Sequence, residues 1–102
     1  MKLLTKEIEK KLPKLYTTEK VNEGDKVLQV KFFTPWTNWT WYGVEYNPEE
    51  RTFYGYVKGL EDEWGYFNLT ELEEINGPFG LKVERDLYFD PIKFSDLKGV
   101  NK

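Results

Sequence analysis

The residues with the clearest chemical potential are carboxylates beside rings. Glu61, Asp62 and Glu63 run directly into Trp64, and Glu45 lies in a neighbouring β-rich stretch. Two carboxylates against an aromatic platform are what a glycosidase needs, and clustered carboxylate oxygens can hold a hard cation. Neither pattern reaches a diagnostic spacing, since no EF-hand loop is present and acid runs in turns are ordinarily solvated. The chain contains no histidine and no cysteine. That removes the usual general base near neutral pH, along with thiolate nucleophiles, disulfides, iron–sulfur clusters and zinc–thiolate sites. A non-catalytic protein without cofactor or metal is therefore expected, with a carboxylate-based hydrolase as the lesser alternative.

Rings are the second chemical resource. Aromatic residues make up 18% of the chain, and Trp39, Trp41, Tyr42, Tyr46, Tyr54 and Trp64 crowd into its middle third. Such a cluster can stack bases or sugars, at about 1–3 kcal/mol per stacked base. Strand alternation puts Trp39 and Trp41 on one face and Tyr42, Val44 and Tyr46 on the other, so both faces are apolar and much of the cluster reads as scaffold. Charge argues against nucleic acid, because phosphate binding needs clustered cations and residues 39–68 carry only Arg51 and Lys58. A module that binds single strands or carbohydrate through its rings stays open as an alternative.

The charge distribution points to a different partner. Residues 61–90 hold nine acids against Lys82 and Arg85, whereas residues 1–20 hold six lysines against three glutamates. A negative surface of this kind steers basic proteins towards it. The favoured reading is a protein-binding surface for a basic partner, built from Glu61, Asp62, Glu63 and Trp64, with Glu45, Trp39 and Trp41 as further candidates. Arg85, between Glu84 and Asp86, is expected to form a structural ion pair with one of these acids or with Glu63. The apolar run at the N-terminus is too short for a signal h-region and no stretch is long enough to span a membrane, so a cytoplasmic location is expected.

These residues need elements to position them. At 102 residues the chain has room for one core, and a single domain over 1–102 is expected. Leu4, Ile8 and Leu12 recur at helical spacing, with Thr5 able to cap and Pro13 to stop. Residues 16–25 read as a connector. Lys26 to Phe33 alternates as a strand burying Leu28, Val30 and Phe32. Trp39–Tyr46 and Thr52–Lys58 form a hairpin around a Pro-containing loop, and Glu63–Asn68 adds a third strand to the meander. Gly43, Gly55 and Gly65 each sit beside aromatics, where a neighbouring ring can lie across bare backbone. Asn68 and Glu71 have capping-box spacing for a helix over Leu69–Ile75, with Gly77 and Pro78 as its stop. Gly80–Phe89 is a strand or an irregular segment, and a last helical turn is expected around Phe94–Leu97. The fold class is α+β, with a mainly antiparallel sheet of four or five strands.

Several runs resemble a family known only as a domain of unknown function, found on bacterial mobile elements and phages. They are Leu3-Leu4-Thr5, Lys31 to Pro35, Asn38 to Tyr42, Phe53 to Phe67 and Glu84 to Phe89. The resemblance covers nearly the whole chain and brings no catalytic residues with it. It implies an accessory protein of a phage or plasmid, a setting in which small proteins bind and inhibit host defence or nucleic-acid-processing proteins.

Overall fold

The computed structural model describes residues 1–100, with side chains through Leu97. The N-terminal helix α1 (Lys6–Lys11) begins where Thr5 Oγ1 accepts from Ile8 N at 3.2 Å. Its flanking Leu4 and Leu12 are buried and Ile8 is half-buried, as the four-residue spacing predicts.

The strand expected over Lys26–Phe33 is broken in two. β1 (Val27–Leu28) and β2 (Val30–Phe33) separate at Gln29, whose N–H is held by Gly43 O at 2.8 Å. Leu28, Val30 and Phe32 are buried as predicted, but Leu28 packs on the opposite side of the sheet from the other two. β3 (Thr40–Asn47), β4 (Thr52–Lys58) and β5 (Asp62–Asn68) form the meander. β6 (Glu84–Arg85) pairs with β2, and β7 (Ile92–Lys93) pairs with β1. The result is a five-stranded antiparallel sheet in the order β5-β4-β3-β2-β6, beside a two-stranded ribbon β1-β7.

Each face of the large sheet has its own core. On the first face Trp41, Tyr46, Phe53 and Phe32 pack under the N-terminal segment, Val83 and helix α2 (Leu69–Glu74). On the second, Leu28, Tyr42 and Val44 pack under helix α3 (Phe94–Val100) through Phe94 and Leu97. Asn68 Oδ1 caps α2 by accepting from Glu71 N at 3.1 Å, as its spacing predicts.

Alternation along β3 fails at one point. The register with β4 slips between Gly43 and Glu45, which is a β-bulge: Gly43 faces Gly55, and Glu45 already faces Tyr54. The extra residue lets Val44 and Glu45 share the second face and returns Tyr46 to the first. There its ring lies 4.5 Å from Phe53, not beside Tyr42 and Val44 as strict alternation requires.

Two other expectations are corrected. Arg85 forms no ion pair among the described residues. Its guanidinium donates to the carbonyls of Lys2 and Leu3 at 2.5 and 2.7 Å and so ties the N-terminus to β6. Gly77 is not a left-handed helix cap, since its φ is −101° and α2 ends in extended backbone at Ile75. What Gly77 supplies is space, because a Cβ there would lie 2.6 Å from the Trp36 ring.

Candidate functional site

The acid run lies where the sheet turns. Gly59 N donates to Glu61 O at 3.3 Å to close the β4–β5 turn, and Glu61, Asp62 and Glu63 are all exposed. Trp39 lies across the same turn: a Cβ on Gly59 would stand 2.3 Å from its ring. Trp39 stacks on Trp41 at 5.8 Å, and Trp41 belongs to the first core. Trp39, Trp41 and the three acids therefore meet at one end of the sheet.

Trp64 is half-buried on the second face. Its ring stacks on Tyr54 at 5.9 Å and meets Tyr56 at 5.2 Å and Phe94 at 4.9 Å. It walls the second core, and its buried Nε1 has no hydrogen-bond partner among the described residues.

Glu45 is brought to a separate place. It faces Tyr54, four residues along β4 from the Lys58 that faces Asp62, which is about 13 Å at the usual strand rise. The two carboxylate groups of the glycosidase-like reading are thus not adjacent. Glu45 is only 3% exposed. Its Oε1 accepts from Tyr16 N and its Oε2 from Thr18 N, both at 2.8 Å, and Thr18 Oγ1 donates to Oε2 as well. Lys26, also buried, donates to Thr18 O at 2.6 Å and lies 5.9 Å from the centre of the Tyr54 ring. These groups surround a cleft of about 260 Å³ edged by Tyr66. Burial first, then the charges of Glu23 and Glu45, pushes the Tyr54 hydroxyl pKa up. Among the described residues no three carboxylates gather as a metal ion would require.

The feature that residue types alone do not show is the free edge of β5. This strand is seven residues long and, among the described residues, has a neighbouring strand on one side only. Beyond one end of its ladder Leu69 N donates to Arg51 O at 2.8 Å, and beyond the other Gly59 N donates to Glu61 O. Bonded pairs alternate in an antiparallel ladder. Glu63, Gly65 and Phe67 therefore turn their backbone groups towards β4, and Asp62, Trp64 and Tyr66 turn theirs outward. Nothing lies within 4 Å of a Cβ built on Gly65, so the first face stays bare beside that edge. The edge offers outward N–H and C=O groups, a side-chain slot at Gly65 and a carboxylate head at Glu61–Glu63. Such a surface can accept an extended chain as an added strand.

A larger cleft, about 470 Å³, lies at the opposite edge between β2 and β6, where Lys31 and Asp86 form an ion pair at 3.5 Å. No helix among the described residues is long and apolar enough to cross a membrane. No curated protein and no solved structure matches the chain. Residues 3–96, which include every strand described above, match a family of proteins of unknown function, and the chain belongs to that family, DUF2958.

Proposed function

We propose that the protein is a non-catalytic binding protein of the cytoplasm that takes an extended segment of a basic partner along the β5 edge. The observation that carries this reading is the unpaired seven-residue edge headed by three exposed acids. Backbone bonds to Asp62, Trp64 and Tyr66 would supply affinity, and the acids would set register and select for Lys or Arg on the incoming strand. The setting implied by the sequence resemblance makes a host defence or nucleic-acid-processing protein the natural partner class. The rings that a stacking platform would use are largely packed, Trp41 at 8% exposure and Trp64 against Phe94, which favours the edge over the aromatic face.

The test is strand parity. Tyr66→Pro removes an outward N–H and leaves the β4 ladder whole, so the fold should persist by circular dichroism while the partner captured from host lysate is lost at least tenfold. Phe67→Pro removes an inward N–H and should unfold the sheet. Charge reversal of Glu61, Asp62 and Glu63 to Lys should weaken capture similarly, and raising salt should weaken the wild-type complex. Full capture by Tyr66→Pro and by the charge reversal, at any salt, would refute the reading.

A further inference from the structure

Between α2 and β6 the chain makes a small hairpin that no core requires. Asn76 and Lys82 form an antiparallel bridge. Inside it Gly77 N donates to Leu81 O at 2.8 Å and Leu81 N to Pro78 O at 3.1 Å. The central residues of the Pro78–Leu81 turn are Phe79, at φ 57° and ψ 29°, and Gly80, at φ 75°. Positive φ at both positions defines a type I′ turn, whose first central residue is ordinarily Asn, Asp or Gly. Here it is phenylalanine, and it is 101% exposed. Phe79 is thus unfavourable twice, in its left-handed backbone and in its hydrated ring.

The base of the hairpin is held firmly. The Trp36 ring sits against Gly77 where a Cβ would be, Lys82 Nζ donates to Asn76 Oδ1, and Asn76 Nδ2 donates to Glu74 O at 3.2 Å. A wholly exposed ring on a clamped and strained turn has the properties of a preorganised anchor: strain retained where binding needs it, and an apolar side chain presented with little entropy left to lose.

We propose that Phe79 is a docking anchor that inserts into an apolar pocket on a partner protein, with basic groups around the pocket's rim. The basic rim follows from the surroundings. Glu71 and Glu74 precede the hairpin, with Glu73 between them paired to Arg51, and Glu84 follows it. Lys82 keeps its charge while donating to Asn76, so the flanks stay net negative, with three acids unpaired among the described residues against one cation. The same carboxylates disfavour an anionic lipid surface. This anchor is separate from the β5 edge and does not depend on it, and failure of the edge reading would show in the Tyr66→Pro and charge-reversal variants and not in Phe79→Asn.

The test has two arms. In the isolated protein Phe79→Asn should raise the thermal midpoint by about 4–8 °C, because Asn suits the turn and exposes no ring. An unchanged or lower midpoint would mean that the ring serves the fold, and would overturn the proposal. In cells of the native host, p-benzoylphenylalanine in place of Leu81, which is 37% exposed, should photo-crosslink to one discrete protein. Phe79→Asn should cut that adduct at least tenfold. Absence of an adduct, an adduct indifferent to Phe79→Asn, or one of twice the chain's own mass would overturn it. So would cosedimentation of the protein with phosphatidylcholine–phosphatidylglycerol vesicles that is lost in Phe79→Asn.

Discussion

Glu45→Gln should destabilise the fold, because Glu45 clamps the start of the connector, at Tyr16 and Thr18, onto β3. Beyond the reach of β2 the edge of β3 is covered by this connector: Tyr46 N donates to Pro13 O at 2.9 Å, and the Glu45 carboxylate receives Tyr16 N, Thr18 N and Thr18 Oγ1. A glutamine of nearly the same shape can keep its carbonyl oxygen towards Thr18, where two donors converge. Its NH₂ must then face the Tyr16 N–H. One charge-assisted bond is lost, worth about 1.5–3 kcal/mol, and a buried donor is left unmatched at about 1–3 kcal/mol more. Relief from burying a charge offsets part of this. A net cost of roughly 2–4 kcal/mol is a large share of the 5–15 kcal/mol typical of a domain, and lowers Tm by roughly 10–25 °C. Hydrogen exchange should locate the effect, with the Tyr16 and Thr18 amides losing protection before those of β4. A variant that melts within about 2 °C of wild type, with both amides still protected, would refute the clamp and return Glu45 to the candidates for a role in binding.

Two further predictions concern the sheet. Gly43, Gly55 and Gly65 lie in one row across three strands, yet a Cβ on Gly55 would stand 1.8 Å from Tyr42 O while one on Gly65 meets nothing. Gly55→Ala should cost on the order of 4 kcal/mol or prevent folding, and Gly65→Ala should be neutral or stabilise by about 0.5–1 kcal/mol in urea titration. Burial raises the hydroxyl pKa of Tyr46, Tyr54 and Tyr56 above the ordinary value of 10.0. Each tyrosine therefore contributes stability that is complete below pH 10 and is lost as pH rises through the higher folded value. Tm should fall above pH 10, and Tyr46→Phe should reduce that fall.

Much of the architecture is legible in the residues because the periodicities are local. Leu4, Ile8 and Leu12 announce α1, Asn68 announces α2, and the meander follows from aromatic runs around short polar loops. The ring laid over bare backbone is found at Gly43, where a Cβ would come 2.9 Å from Phe53. What cannot be read locally is the bulge at Val44, since one unpaired residue exchanges the faces that Glu45 and Tyr46 take without altering composition. The splitting of β1 from β2 is hidden for a related reason: Leu28 keeps the parity of Val30, but its partner strand β7 lies more than sixty residues away. The acid turn beside Trp64 is visible in sequence. That Trp64 closes a core through Phe94, and that the edge beside it is unpaired, depends on strand order.

The acids of this chain divide according to whether the fold uses them. Glu73 grips Arg51 through two bonds of 2.8 and 2.9 Å, fixing α2 to the β3–β4 turn, Asp86 holds Lys31, and Glu45 holds the connector. Arg51 itself stands at φ 54°, a position where glycine would be easier, so its side chain is kept at a backbone cost because α2 needs the anchor. Among the described residues Glu61, Asp62 and Glu63 have no such duty, and they stand at the head of an open edge. An unpaired edge invites indiscriminate pairing, and charge is one of the usual ways to prevent it. Carboxylates repel other acidic strands and discourage neutral ones, while a strand carrying Lys or Arg gains by meeting them. On the proposed reading, protection of the edge and choice of a basic partner are one property of three residues, and reversing their sign should relax the first and weaken the second.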